Sequence, residues 1–193
     1  MILIAHDEAF NFTYRANIDA LKQIDDIRFF SPLHDEHLPD SDLLYLPGGY
    51  PELYADQLSA NSSMLQSIKD FAEKGGKIFA ECGGFMYLCK DIDGTPLCNV
   101  LPLEATMNGA RLHLGYRKAS YNGLIIRGHE FHYSSIINDQ NLPKEIKTLR
   151  IQSNAKNNPV DTPIYLYKNT IAGYTHWYWA ENLKEILNTI NYK

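Results

Sequence analysis

A thiol and an imidazole far apart in the chain carry the first chemistry this sequence offers. Cys82 closes the strand-like run KIFAE and is followed by Gly83-Gly84 and a helical pattern of Phe85, Met86 and Leu88. A nucleophile at a strand-to-helix turn takes a strained backbone conformation, so small residues must follow it, and Gly83 lets a substrate approach the main chain. The Gly83 N–H then faces that substrate. The N-terminus of the following helix favours negative charge, so the thiol pKa is expected to be lowered. The alternative for Cys82 is a small buried core residue, since free cysteine is among the most buried types. Cys89 and Cys98 have no comparable setting and are assigned to core or surface.

A thiolate needs a base and an oxyanion site, and both come from segments remote in sequence. Of the seven histidines, His176 stands just after the strand-like IAGYT. In a parallel sheet that places it at a carboxyl edge near Cys82, where open α/β sheets hold their ligands. His176 is therefore the candidate base; its alternative is a ring packed among Tyr174, Trp177, Tyr178 and Trp179. The turn LPGGYPE leaves another strand end, and Gly48-Gly49 ahead of Pro51 make a rigid loop with an open amide. Gly49 N–H is the second expected oxyanion donor beside Gly83, with a plain strand-to-helix turn as the alternative. In RGHEFHYS, His129, Glu130 and His132 resemble metal ligands. On a strand, however, His132 shares a face with Glu130 and not with His129, and no HExxH pattern is present, so no metal is expected. The alternative there is a satisfied polar cluster on an edge strand.

These residues need elements to hold them. ILIA reads as a buried strand, and Phe12 to Ile24 places Phe12, Ala16, Ala20, Leu21 and Ile24 at helical spacing. Ile27 to Phe30 and Leu43 to Leu46 read as further strands. Asn61-Ser62-Ser63 starts a helical stretch that Gly75-Gly76 closes ahead of KIFAE. Strands alternating with helices imply an α/β three-layer sandwich with a mainly parallel central sheet. Beyond about Asp91 an antiparallel extension is expected: Ala110 to Ala119 and Leu124 to Arg127 form strands joined around Tyr121-Asn122-Gly123. QSNAKNNPVDTP reads as a loop, YLYK and IAGYT as strands, and Glu181 to Ile190 as a final amphipathic helix.

The 193 residues read as a single domain that can bury a sizeable core. A net charge of -5 with scattered basic residues argues against nucleic acid as a partner. No apolar run approaches the roughly 18 residues of a membrane span, and MILIAHDEAF turns acidic before a signal-peptide core develops, so no membrane association and a cytoplasmic location are expected. Three cysteines without CxxC spacing fit reduced thiols.

Taken in order, HDEAFNFTYRANIDAL, FFSPLHDEHLPDSDLLYLPGGYPELYA, AECGGFMYL, RLHLGYR, RGHEFHYS and IAGYTHWYWAEN resemble the glutaminase domain of cobyrinic acid a,c-diamide synthase, a relative of the class I glutamine amidotransferases. The resemblance implies the flavodoxin-like class I amidotransferase fold. It implies that Cys82 attacks the side-chain amide of glutamine, with His176 as base, forming a glutamyl thioester and releasing ammonia. It also implies transfer of that ammonia to an ATP-activated carboxylate on a corrin or related tetrapyrrole. The segment of His129, Glu130 and His132 would lie near the junction with the synthetase.

Three features depart from that family. No GxxxxGK[ST] occurs, so ATP and magnesium are expected on a separate synthetase domain or subunit, or else this chain is a fragment. Tyr178 stands where the family commonly has a histidine and class I enzymes a glutamate, leaving the third triad member unnamed, with Glu181 a poorly spaced candidate. Pro47 replaces the first glycine of a GGGYPE turn. Two rival readings remain: a glutaminase serving another acceptor such as a cell-wall precursor, and a non-hydrolysing binding or assembly module.

Overall fold

The computed structural model of the chain describes residues 1–121, 123–137 and 139–189. Asn122 of the expected hairpin turn and Ile190 of the expected last helix lie outside them. The first half runs β1 (Ile2–Ala5), α1 (Arg15–Lys22), β2 (Ile27–Phe30), β3 (Leu43–Leu46), α2 (Ala55–Ala60), α3 (Ser62–Glu73), β4 (Lys77–Glu81) and α4 (Gly83–Leu88). The second half follows with β5 (Asp91–Ile92), β6 (Thr95–Pro96), β7 (Glu104–Thr106), β8 (His113–Tyr121), β9 (Leu124–His132), β10 (Ser135–Ile136), β11 (Ile146–Leu149) and β12 (Gln152–Ser153). It ends with β13 (Ile164–Tyr167), β14 (Thr170–Gly173), β15 (His176–Trp177) and α5 (Leu183–Thr189).

Among the described residues, seven strands form the main sheet in the order β11-β13-β14-β4-β3-β1-β2. The pairings from β14 through to β2 are parallel, and β13 and β11 add antiparallel at one edge. Alternation along each strand explains the continuous apolar runs, because both faces are covered. Ile2, Ile4, Leu43, Tyr45 and Phe79 face Leu21 of α1 and Leu183 and Ile186 of α5. Leu3, Ala5, Leu44, Leu46 and Ile78 face the other way, toward Leu58 of α2, Met64 and Ile68 of α3, and Phe85 of α4. The result is an α/β three-layer fold whose parallel strands all open their carboxyl ends on one edge.

Local signals place the helix ends. The Asn61 side chain accepts the Met64 N–H at 3.4 Å and caps α3, which ends at Gly75 with φ +83°. The first helix is shorter than its periodicity suggests. Phe12 precedes it and bridges to Gly48, with its N–H donating to the Gly48 carbonyl at 3.1 Å. Apolar spacing reports which side a residue packs on, and Phe12 is apolar because it packs against a ring in the site described below.

The extension consists of two smaller sheets, β10-β7-β5-β6, antiparallel apart from its parallel β5–β7 pair, and the antiparallel β12-β8-β9-β15. The hairpin strands β8 and β9 extend to Tyr121 and His132, and Gly123 turns between them at φ +82°. Two readings are corrected here. Gln152 and Ser153, read as loop, pair with β8 as β12. β9, an edge strand only in the alternative reading of RGHEFHYS, is interior, because the short β15 pairs on its far side with His176 opposite His129. Among the described residues no helix is long and apolar enough to cross a membrane.

Candidate active site

Four loops converge at the carboxyl edge of the main sheet. Cys82 follows β4 directly, and its N–H donates to the Gly173 carbonyl at the end of the neighbouring strand β14 at 2.9 Å. Cys82 sits at φ +47°, ψ -104°, a conformation that costs a non-glycine residue on the order of 1–3 kcal/mol. Hydrogen bonds from Met86 N–H to the Cys82 carbonyl and from Gly84 N–H to the Pro47 carbonyl, both 2.9 Å, hold the elbow in place. Neither glycine after the cysteine tolerates a side chain. A Cβ on Gly83 would lie 2.9 Å from the Gly49 nitrogen, and one on Gly84 only 2.1 Å from the Leu46 carbonyl oxygen.

That interlock also places the β3 loop. A Cβ on Gly49 would meet the Ala9 carbonyl oxygen at 1.9 Å, so the loop lies hard against the segment after β1. The Gly49 N–H donates to no backbone carbonyl among the described residues, and it borders Gly83. Pro47 fits its position because what the turn requires there is a carbonyl acceptor for Gly84.

His176 is buried in an aromatic nest. Its ring stacks on His129 (centroids 4.9 Å apart, 17° between planes) and meets Phe12 edge-on at 4.7 Å. Gly48 forms the floor, where a Cβ would stand 2.3 Å from His176 Cε1. Tyr14 Oη lies 2.5 Å from His129 Nδ1 and so fixes the stacked partner. His176 Nδ1 is buried and has no hydrogen-bond partner among the described residues. Burial, with His129 and His132 adding to it, drives the His176 pKa down to about 3.

Sequence reasoning brought Cys82 and His176 to adjoining strand ends, but the structure does not hydrogen-bond them. The Cys82 thiol instead points to the Phe131 carbonyl at 3.6 Å. The expected lowering of its pKa is reversed. Burial pushes the thiol up to about 12, with the Glu52 carboxylate adding to the rise, and the Gly83 amide offsets this only in part. The cavity beside the sulfur is about 20 Å³, room for about one water, and is lined by Gly49, Tyr50, Glu52 and Phe131 among others.

β9 therefore touches both members of the pair through alternate residues. His129 on one face stacks on His176, and the Phe131 carbonyl meets Cys82. Glu130 and His132 point the other way, as period-two geometry requires. His132 Nε2 lies 3.2 Å from Glu130 Oε1, its Nδ1 is 2.9 Å from the Ser134 carbonyl, and Arg117 and Thr162 complete the buried Glu130 cluster. Among the described residues no group of three His, Cys, Asp or Glu side chains is placed to hold a metal ion.

The carboxylate of Glu181, the poorly spaced candidate for a third member, pairs with Arg127 at 2.9 Å, both exposed, and Tyr178 turns toward Tyr14. Residues that sequence reasoning did not assign to the site are Phe12, Gly48 and Glu52. Gly48 and Glu52 both stood in the LPGGYPE turn, whereas Phe12 carries no local signal and becomes a site residue only through packing.

A thiol with a pKa near 12 is ionised to roughly one part in 10⁴ at pH 8, against roughly a quarter for an unperturbed cysteine. Iodoacetamide at pH 8 is accordingly expected to alkylate Cys82 about 10³-fold more slowly than a free thiol. Peptide mapping by mass spectrometry measures the rate; labelling at the free-thiol rate would show that the Phe131 contact does not persist in solution.

Solved structures with this architecture include one described as a glutamine amidotransferase (TM-score 0.62, 15% identity, covering 97% of this chain and 98% of that one). Another is a glutamine amidotransferase from Thermotoga maritima (TM-score 0.54, 15% identity, covering 97% and 84%). The fold is that of the class I glutamine amidotransferases. The chain belongs to the family of CobB/CobQ-like glutamine amidotransferase domains, which it matches over residues 1–183. Relatives include the cobyrinate a,c-diamide synthase of Methanocaldococcus jannaschii, 46% identical over 146 residues, which are 71% of this chain and 32% of that protein. The synthase of the same name from Methanobrevibacter smithii is 38% identical over 187 residues, 92% of this chain and 41% of that protein. The matched part of the chain thus spans only about a third to two fifths of the length of these relatives.

Proposed function

We propose that this chain hydrolyses glutamine at Cys82 and supplies the ammonia for ATP-dependent amidation of carboxylates on cobyrinic acid or a related tetrapyrrole. The observation that carries the reading is the nucleophile elbow at Cys82, set on the strand next to the one that leads to His176. Cys82 Sγ attacks the side-chain amide carbon of glutamine, and His176 takes the thiol proton and returns it to the departing nitrogen, which leaves as ammonia. The Gly49 and Gly83 amides donate to the oxyanion, each such donor being typically worth a few kcal/mol of barrier. Water then attacks the thioester carbonyl, freeing glutamate and the thiol.

Activation of the acceptor falls to a separate synthetase domain or subunit holding ATP and magnesium. Support comes from the missing phosphate-binding motif and from relatives more than twice as long. His129, Glu130 and His132 couple the two halves: their strand borders both Cys82 and His176, so a partner that shifts β9 also opens the 20 Å³ cavity to glutamine.

One observation favours a second reading, a non-hydrolysing assembly module. The thiol bonds to a main-chain carbonyl and the imidazole Nδ1 has no partner. A glutaminase assay on the chain with its co-purified partner, ATP and cobyrinic acid separates the two. Glutamate release that the partner stimulates is expected. No release under those conditions would overturn the enzyme reading, and release coupled only to another acceptor, such as a cell-wall precursor, would overturn the corrinoid one.

A further inference from the structure

We propose that Glu81 is the positioning residue that locks the segment carrying His176 to the elbow carrying Cys82, an inference that rests on the glutaminase reading above. Strand alternation sends Glu81 to the opposite face of the sheet from the reacting thiol, into the layer of Tyr45, Phe79 and Trp179. It is 3% exposed there, among otherwise apolar side chains. Its Oε1 accepts the Trp177 N–H at 3.1 Å and the Trp179 indole N–H at 2.8 Å, and its Oε2 accepts the Tyr45 hydroxyl at 2.9 Å.

Trp177 follows His176 directly, so the first of these bonds fixes the peptide unit next to the proposed base. A second buried polar residue grips the same segment from α1. Asn17, fully buried, donates from Nδ2 to the Trp177 carbonyl at 2.7 Å and accepts the Trp179 N–H at Oδ1 at 2.8 Å. The segment from Trp177 to Trp179 is thus held by four directed hydrogen bonds from two side chains, and one of those side chains is the residue preceding the nucleophile.

Burial raises the Glu81 pKa to about 8, so ionisation is penalised, and an apolar side chain of similar size would avoid that penalty only by leaving three donors unpaired. What packing cannot supply is a unique direction. Trp177 and Trp179 side chains can slide in an apolar layer, whereas three donors converging on one carboxyl specify one register. A displacement of about 1 Å between reacting groups is enough to lower a rate by about 10²-fold.

The test compares Glu81→Gln and Glu81→Leu with wild type, each in complex with the synthetase partner. Gln can accept both tryptophan N–H groups through Oε1 and donate to Tyr45, so its kcat for glutamate release is expected within about threefold of wild type. Leu removes every acceptor, and kcat is expected to fall by 10- to 100-fold with KM within about twofold. The second readout is the His176 ring resonance in two-dimensional NMR, expected to move in Glu81→Leu and to stay in place in Glu81→Gln. A folded Glu81→Leu protein with wild-type kcat and an unmoved His176 resonance would overturn the proposal. So would a Gln variant that fails to restore both. If Glu81→Leu does not fold, Trp179→Phe takes its place: it deletes one donor while keeping an aromatic, though smaller, side chain in the layer, and an unchanged kcat and resonance there would equally overturn it. Should wild type itself release no glutamate, the glutaminase reading falls separately, and the resonances alone decide whether Glu81 sets the His176 geometry.

Discussion

Cys82→Ser and Cys82→Ala are each expected to reduce glutamate release by about 10³-fold or more, with the fold intact. The size follows from what the thiol alone supplies. Covalent catalysis divides amide cleavage into two easier steps, and without a thioester only positioned water remains. Serine does not substitute, because a hydroxyl is ionised far less readily than a thiol and the neutral His176 must then do all of the deprotonation. The wild-type resting state itself is held back, with the thiol at about 12 and the imidazole at about 3. On the proposed glutaminase reading, an active pair requires the Phe131 contact to open so that solvent or substrate dipoles reach the sulfur. Single-turnover kinetics with mass spectrometry of the trapped intermediate measures this: wild type should gain the mass of a glutamyl group, and the variants should not. A Cys82→Ala protein that still releases glutamate at more than about a tenth of the wild-type rate would place the nucleophile elsewhere.

His176→Gln is the second large effect, expected to lower kcat by about 10²–10⁴-fold, the range for removing a general acid–base. It carries a stability signature as well. The native imidazole takes up a proton only near pH 3, whereas an unfolded histidine does so near 6.5. Between those values the unfolded chain binds more protons, so native stability falls as pH drops from 6.5 toward 3. The drop from 6.5 to about 3 bounds the effect at about 5 kcal/mol. Glu81 has the opposite sign: its native pKa of about 8 lies above the unfolded value, so its contribution declines as pH rises from about 4.5 to 8. Urea denaturation across pH 4 to 8 should therefore show a wild-type acid limb that is shallower in His176→Gln. Parallel curves for the two proteins between pH 4 and 6.5 would mean that the ring is protonated in the native state and not buried as described.

Much of the scaffold was legible because it is written in local chemistry. β1, β3 and β4 are runs of four or five residues buried on both faces, and such runs read the same from sequence as from coordinates. Asn61 and Gly75 mark the ends of α3 by capping geometry that depends on neighbours in the chain. The elbow after β4 was legible for the same reason, since a cysteine at a strand end before two glycines has few backbone options. Phe12 was read as helical because its apolar character is the same whether it faces a helix layer or the edge of an imidazole. The interior place of β9 was not legible, because the two residues that cover it, His176 and Trp177, come more than forty positions later.

The sequence by itself determined that a thiol would stand at a strained strand end beside glycine amides, with a histidine following a neighbouring strand, and it identified the family. The reason is physical: turns, caps and buried strands are decided by residues within a few positions of one another. Only the tertiary structure decided the electrostatic state of the pair. Both pKa values are set by how completely water is excluded, and that depends on two separate segments closing over the site, Phe12 from the first loop and His129 and Phe131 from β9. The same holds for Glu81. Nothing local distinguishes it from a surface glutamate, and its role arises when the sheet turns it inward and two tryptophans from the far end of the chain find no other acceptor.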